Sequence, residues 1–293
     1  MREEHSSGNL KVENGQYAIL CQTKNRDGCM SDVINIQTVM NFLKILPILL
    51  LPARFDLTKN EATSWSRSIA EKCENFDTTT PLFVFVMGHG NENGILDATE
   101  RQTELFTHDQ IIQELNTSRL KKRLKIIVFV ACRGIKEPHR STVLFNDGIN
   151  KRNLENFFIM YTCEDGYVSK RNPTTGVPFI EAFCQELKLN FFKQPIGMMF
   201  ENIKMTLRSV DLGNGRYCLT PDKEEIKIER KFRKRPLVSN TRPIIRGHSQ
   251  ILTDDNLRAL SQQLSKLRCR GDMTGSGRVL KGHVKKVRRS TLP

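Results

Sequence analysis

Two residues that follow apolar stretches of the sequence have side chains that together could carry out nucleophilic chemistry. The stretch KIIVFVA runs directly into Cys132, and the stretch LFVFVMG runs directly into His89. A cysteine thiolate is a strong nucleophile, and a neighbouring imidazole can move protons to a leaving group. Gly90 follows His89 and allows the backbone to approach closely, so its amide and that of Cys132 could hold an oxyanion. This pattern predicts a cysteine–histidine pair if the fold brings the two residues together.

Each of these residues also has a structural alternative. Free cysteines are among the most buried residues of proteins and behave there as small hydrophobic side chains. The chain has eight cysteines and six histidines, and a single histidine is commonly a core or surface side chain. His89 differs from the other five because it alone follows an apolar stretch.

The elements that must position these residues are alternating strands and helices. Near-continuous apolar stretches predict strands that are covered on both faces, at Tyr17–Gln22, Pro81–Gly88, Lys125–Ala131 and Asn156–Thr162. Helical patterns fall at Asp32–Leu46, Thr58–Cys73, His108–Leu115, Pro178–Leu189 and Ile196–Val210. This alternation predicts a three-layer α/β sandwich with a mainly parallel central sheet. Ligands bind at the carboxyl edge of such a sheet, where we expect Cys132 and His89 to share one crevice.

The positive charge of the chain is concentrated at its C-terminal end. The 293 residues have a net charge of +14, yet twelve Lys/Arg and only three Asp follow Arg235. We predict that residues 236–293 form a basic, mostly disordered tail, through which nucleic acid could bind. The nearly neutral body argues against nucleic-acid binding as the main function.

The sequence also argues against several other classes of protein. The longest apolar run, Val39–Pro52, is short and is interrupted by Lys44 and Pro47, so no transmembrane helix is expected. The polar N-terminus predicts no secretory signal, which favours the cytoplasm, or the nucleus, and reduced thiols. No cysteine pair has C-x-x-C spacing and no histidine pair has the spacing of zinc ligands, so we expect neither a metal nor a cofactor.

Several separate motifs resemble those of the caspase family. The segment VACRG, with His89 lying 43 residues before Cys132, resembles the signature Q-A-C-[RQG]-G, which has a histidine about fifty residues upstream. The segment Phe157–Leu187 is similar to the start of the caspase small subunit, and the similarity runs from about Tyr17 to Arg235. The resemblance implies a caspase-like fold and a cysteine endopeptidase that cleaves after aspartate, in apoptosis or related proteolytic signalling. It assigns Cys132 as nucleophile, His89 as proton shuttle and Gly90 as an oxyanion donor.

The resemblance also implies a substrate pocket. Arg26 and Arg171 match the arginines that bind the substrate aspartate, a task suited to the guanidinium fork. Ser169 and Lys170 match the substrate groove, and Lys170 replaces the usual aromatic residue. Val130 stands where the family has a glutamine that donates to the substrate carboxylate. Losing one hydrogen bond to a charged group costs about 1.5–3 kcal/mol.

The same resemblance implies a domain organisation. After a short N-terminal segment, residues 1–16, we expect a large-subunit-like region over 17–147, a small-subunit-like region over 148–235, and the tail. Asp147, in a predicted long loop from Arg133 to Glu155, is the candidate maturation site. The family pairs two such units through the last strand of the small subunit, which we predict at Arg216–Pro221. A homodimer, or a heterodimer with a related caspase, is therefore expected.

Three functions remain open at this level. The first is an active protease whose partners are protein substrates with aspartate at the cleavage position. The second is an inactive or weak homologue that regulates a true caspase by binding it, which Val130 and Lys170 favour. The third is a nuclear or nucleic-acid function of the basic end, where Arg230–Arg235 is a candidate import signal.

Overall fold

A computed structural model describes residues 14–73, 78–96, 104–136, 154–208, 210–212, 216–217, 219 and 221–238. The strands are β1 (Gln16–Cys21), β2 (Leu46–Pro47), β3 (Ala53–Phe55), β4 (Leu82–Met87), β5 (Gly94–Leu96), β6 (Glu104–Thr107), β7 (Lys125–Val130), β8 (Gly134–Lys136), β9 (Phe157–Tyr161), β10 (Gly166–Tyr167), β11 (Val210–Asp211), β12 (Arg216–Tyr217) and β13 (Asp222–Ile226). The helices are α1 (Cys29–Phe42), α2 (Lys59–Lys72), α3 (His108–Glu114), α4 (Pro178–Asn190), α5 (Ile196–Thr206) and α6 (Arg230–Lys234).

The central sheet has the strand order β13-β9-β7-β4-β1-β2, and β3 also pairs with β1. Neighbouring strands from β9 to β1 run parallel, and β13 is antiparallel to β9. The last residues of β1, β4 and β7 stand in register, because Cys21 lies opposite Met87 and Met87 opposite Val130. The carboxyl ends of these strands therefore meet at one edge, which confirms the predicted mainly parallel sheet.

The sheet is covered on both faces, which makes three layers. Alternate residues of a strand point to opposite faces, and in β7 Val128 and Val130 pack with α1, α4 and α5. On the other face Ile127 and Phe129 pack with α2 and α3. All six residues of each of β1, β4 and β7 are buried, as near-continuous apolar strands require. The predicted α/β sandwich is confirmed.

Helix boundaries follow local signals in the sequence. The side chains of Thr58 and Glu61 cap the start of α2 reciprocally, with Thr58 Oγ1 accepting from the Glu61 amide at 3.4 Å. Helix α1 begins three residues before the predicted Asp32, after Gly28, whose φ of +78° suits glycine.

The final strand of the sheet differs from the prediction. Arg216–Tyr217 pairs with Val210–Asp211 as a short antiparallel ribbon, whereas Asp222–Ile226 forms the edge of the sheet. The prediction that Arg216–Pro221 forms the last strand of the sheet is therefore wrong. The segment that does form it, DKEEI, has four charged residues and only one buried residue, Ile226, so it lacks the apolar pattern by which a strand is recognised. Such charges are typical of edge strands.

Two further predictions, the long loop and the basic tail, concern segments that the structure describes only in part. The predicted loop from Arg133 to Glu155 begins with strand β8, which pairs with β10, and residues 137–153, including Asp147, lie outside the described residues. Within the basic segment Arg230–Arg235, Phe232 is buried in the core, as is Leu237. Residues 239–293 of the predicted tail lie outside the described residues.

Candidate active site

Cys132 and His89 lie at the carboxyl ends of neighbouring strands. Each follows its strand by two residues, Cys132 after β7 and His89 after β4. Cys132 is partly exposed, whereas the other five cysteines of the described ranges are buried. A nucleophile must reach its substrate, so this exposure separates Cys132 from the thiols of the core.

Gly90 brings the two strand ends into contact. A Cβ atom added to Gly90 would lie 2.5 Å from the Cys132 carbonyl oxygen and 2.7 Å from the Cβ of Ala131. Only a residue without a side chain can approach the backbone this closely. Gly90 also lies opposite Ile95 in an antiparallel bridge. The hydrogen bonds of this bridge run from the Asn91 amide to the Gly94 carbonyl and from the Leu96 amide to the His89 carbonyl. The amide of Gly90 therefore takes no part in the bridge.

The imidazole of His89 is oriented by a backbone carbonyl. Its Nε2 lies 2.9 Å from the carbonyl oxygen of Asn25. A carbonyl oxygen only accepts, so Nε2 carries a proton, and in the neutral form of the ring Nδ1 is the proton acceptor. Arg171 donates to the same oxygen through Nη2 at 3.1 Å.

The sulfur of Cys132 is held by the segment after β9. The backbone amide of Ser169 donates to Cys132 Sγ at 3.3 Å, and Ser169 Oγ lies 2.7 Å from Thr162 Oγ1. Within the described part of the chain no hydrogen bond joins Cys132 to His89. Catalytic hydrogen bonds are often long before substrate binds, so this arrangement is compatible with a catalytic pair.

The two arginines assigned to substrate binding differ in environment. The Arg26 side chain is 2% exposed and lies 3.5 Å from the Asp32 carboxylate, whose side chain is 1% exposed. Arg171 is partly exposed; burial lowers the pKa of its guanidinium, the charge of Arg26 lowers it further, and Cys132 opposes this. These effects on Arg171 indicate that its guanidinium lies near both Arg26 and Cys132.

The positions that depart from the family pattern lie on either side of Cys132. Val130 ends β7 and is 1% exposed within the apolar core, on the α1 and α4 face. At this position the structure has a buried apolar side chain where the resemblance expects an amide donor. Lys170 lies between Ser169 and Arg171 and is partly exposed.

Arg133, directly after Cys132, has a structural role in this fold. Its guanidinium pairs with Asp222 at 3.2 Å and with Asp165 at 3.6 Å, and it stacks 4.0 Å above the centre of the Tyr161 ring. These contacts tie the backbone beside Cys132 to β9 and β13.

Two residues of the site were missed by sequence reasoning. Asn25 acts through its backbone carbonyl, and the one signal for it is that asparagine tolerates the left-handed conformation it adopts, with φ of +53°. Asp32 resembles an ordinary acidic residue in the first turn of a helix, a position that favours negative charge without any further role. Its burial against Arg26 has no signature in the sequence.

Neither a metal centre nor a membrane span is found where the structure is described. Those residues contain no group of three or more His, Cys, Asp or Glu side chains that could hold a metal ion. No helix among them has the length and apolar character needed to cross a bilayer.

Comparison with known proteins identifies the family. The family described as Caspase domain matches residues 10–242. Caspase-1-B of Xenopus laevis is 26% identical over 196 residues, which cover 60% of this chain and 50% of that protein. Caspase-1-A of Xenopus laevis is 26% identical over 246 residues, which cover 74% of this chain and 61% of that protein. The chain thus spans one half to three fifths of the length of these two curated relatives.

The fold is shared with a solved caspase. The crystal structure of caspase-1 from Spodoptera frugiperda superposes with a TM-score of 0.62 at 17% identity, covering 79% of this chain and 92% of that one. At this identity the likeness concerns the fold alone. The family match, by contrast, extends over most of the sequence and includes both strand ends of the candidate site. The chain belongs to the caspase family of cysteine peptidases.

Proposed function

We propose that this chain is a cysteine endopeptidase that cleaves proteins after aspartate, with Cys132 as nucleophile and His89 as proton shuttle. The observation that carries the proposal is that the partly exposed thiol of Cys132 follows the end of β7, and that His89 follows the end of the neighbouring strand β4. Gly90 supports it, because its amide and that of Cys132 lie where two adjacent strand ends touch.

The proposed reaction has two steps. Nδ1 of His89 first takes the proton of the Cys132 thiol. The resulting thiolate attacks the carbonyl carbon of the scissile peptide, and the amides of Gly90 and Cys132 stabilise the oxyanion that forms. The C–N bond then breaks, and the amine leaves with a proton from His89. In the second step water attacks the thioester, His89 accepts a proton from the water, and the carboxylic acid and the free thiolate are released.

Arg26 and Arg171 are proposed to bind the substrate aspartate, beside a groove that includes Ser169 and Lys170. Val130 contributes no hydrogen bond there, so we expect weaker selectivity for aspartate than a pocket with an amide donor would have. We further propose that the protease acts in the cytoplasm or nucleus, in apoptosis or related proteolytic signalling.

The test is cleavage of fluorogenic tetrapeptides that end in aspartate, by the full chain and by Cys132→Ala. We expect Cys132→Ala to abolish turnover. Cys73→Ala is the matched control, because Cys73 is a buried thiol at the C-terminal end of α2, on the other face of the sheet from α1 and α4. Turnover that survives in Cys132→Ala, or is absent from the unchanged chain, would rule the proposal out.

Maturation is tested in the same preparations. We propose that cleavage after Asp147 separates the large-subunit-like and small-subunit-like regions. Mass spectrometry of the full chain should detect fragments that end at Asp147, and Cys132→Ala should remain intact if the chain cleaves itself.

A regulatory homologue is the second candidate, favoured by the apolar Val130 at the glutamine position and by the pairing of Arg26 with an internal carboxylate. Its partner would be a related caspase, bound along β13, which is an edge strand of the sheet in the described residues, and two copies of this chain could pair there equally. Light scattering and co-purification with an active caspase distinguish a homodimer from a heterodimer. Binding without any turnover would favour the regulator.

A further inference from the structure

Asp32 connects the two segments that carry Arg26 and Arg171. Oδ1 of Asp32 accepts a hydrogen bond from the Val177 amide at 2.8 Å. Oδ2 lies 3.5 Å from Nη2 of Arg26, and both side chains are at least 98% buried. One carboxylate on α1 therefore reaches the loop before that helix and the turn before α4.

The turn after Arg171 is packed tightly against this carboxylate. Asn172 and Gly176 exchange two backbone hydrogen bonds, of 2.8 and 3.0 Å, which close the turn. A side chain at Gly176 would collide with the carboxylate of Asp32. A Cβ atom at Gly28 would lie 2.6 Å from the Asn172 carbonyl oxygen, so the two segments touch directly.

We propose that Asp32 is a positioning residue of the substrate pocket, which holds Arg26 and the turn after Arg171 in the geometry that binds the substrate carboxylate. A buried guanidinium without a counter-charge is strongly unfavourable. Neutralising Asp32 therefore drives Arg26 out of its place, and the Val177 amide loses its charged acceptor. The proposal rests on the proposed function, because it explains how that same pocket is built.

Ionisation of Asp32 should then control substrate affinity. Burial raises the pKa of Asp32 to about 6, although the Val177 hydrogen bond and the charges of Arg26 and Arg171 oppose the rise. The carboxylate thus gains a proton between pH 7.5 and pH 5.5, and the ion pair is lost.

Two thiols also face Asp32. Cys184, on α4, has a pKa raised to about 12, mainly by burial, and stays neutral throughout this range. Cys29, on α1, has a pKa lowered to about 7, mainly by a hydrogen bond with the Cys21 thiol. A change of affinity near neutral pH has therefore to be separated from the titration of Cys29.

The experiment measures kcat and KM for an aspartate-ending tetrapeptide from pH 5.5 to pH 8, on the full chain and its variants. At pH 7.5 we expect Asp32→Asn to raise KM about tenfold and to change kcat less than about threefold. The KM of the unchanged chain should rise as the pH falls through 6, and that of Asp32→Asn should stay flat.

Two variants serve as controls. Asp27→Asn removes the same charge from the exposed neighbour of Arg26, and its KM should change less than about twofold. Cys29→Ala removes the thiol that also titrates near neutral pH, and its KM should still rise as the pH falls through 6.

An unchanged KM in Asp32→Asn would overturn the proposal. A lower KM would overturn it as well, since it would mean that Asp32 competes with the substrate carboxylate.

If the unchanged chain cleaves no peptide, the proposed function fails. The role of Asp32 is then tested by calorimetry, which measures the affinity of the unchanged chain and of Asp32→Asn for the acetylated product peptide. Weaker binding by Asp32→Asn than by the unchanged chain then supports the positioning role. Equal binding by the two proteins, or no binding by the unchanged chain, contradicts it. If Asp32→Asn does not fold, a flat KM profile of Cys29→Ala overturns the proposal and a step near pH 6 supports it.

Discussion

His89 and Arg171 donate hydrogen bonds to the same carbonyl oxygen, that of Asn25, at 2.9 and 3.1 Å. One residue is the proposed proton shuttle and the other a proposed ligand of the substrate. A substrate carboxylate that draws the Arg171 guanidinium toward itself leaves the Asn25 oxygen to His89 alone. We therefore predict that binding of the correct side chain influences the orientation of the imidazole.

Arg171→Lys tests this link. Lysine keeps the charge but lacks the planar fork that serves two acceptors at once. We expect KM to rise by roughly tenfold or more and kcat to fall as well. Arg67→Lys, on the exposed surface of α2, is the control and should leave both constants unchanged. A higher KM with an unaltered kcat would show that the shared oxygen has no influence on His89.

Val130→Gln tests the missing donor of the pocket. A glutamine amide at the end of β7 should restore a hydrogen bond to the substrate carboxylate and raise kcat/KM for aspartate-ending peptides about tenfold. Val130→Met has similar length but no donor, and we expect no gain from it. If both variants lose activity equally, repacking of the buried position decides the outcome and the donor hypothesis fails.

Gly90→Ala tests the contact between the two strand ends. The added Cβ would lie 2.5 Å from the Cys132 carbonyl oxygen, so the strand ends must separate. We expect kcat to fall at least about a hundredfold, comparable to the loss of one oxyanion donor. Gly197→Ala, in α5, meets only the Glu225 side chain at 3.5 Å and is the control. Full activity of Gly90→Ala would refute the proposed role of this backbone.

His108 should make the fold sensitive to acid. Burial, aided by the charge of Arg133, lowers the pKa of His108 to about 3. The unfolded chain binds this proton near pH 6.5, so stability is present above that pH and is lost as the pH falls toward 3. Between pH 7 and pH 5 the loss is about 2 kcal/mol.

His108→Phe should abolish this part of the pH dependence, because phenylalanine is an aromatic ring without a titrating group that can replace the imidazole against the rings of Phe129 and Tyr161. Urea unfolding of both proteins at pH 7 and pH 5 measures the effect. Equal losses of unfolding free energy in the two proteins would disprove the role of His108.

Much of the architecture was predictable, because burial on both faces leaves a clear apolar pattern. The four strands β1, β4, β7 and β9 lie within about one residue of their predicted ends, and parallel pairing then placed Cys132 beside His89. Strand β13 was not predicted because it is an edge strand. Edge strands commonly have charged residues, so β13 lacks the apolar pattern that marks the buried strands. The contact of His89 with Asn25 escaped prediction because a carbonyl oxygen is common to every residue. Asp32 escaped because its burial depends on tertiary packing.

The pairing of β7 with β9 has a consequence for the continuity of the chain. Five residue pairs, from Lys125 with Phe157 to Phe129 with Tyr161, join the segment before residue 137 to the segment after residue 153. A single break anywhere between these points removes no bond of this ladder and none between β9 and β13. The two pieces should therefore stay together as a noncovalent complex, and they could be produced as separate polypeptides that assemble by completing one sheet.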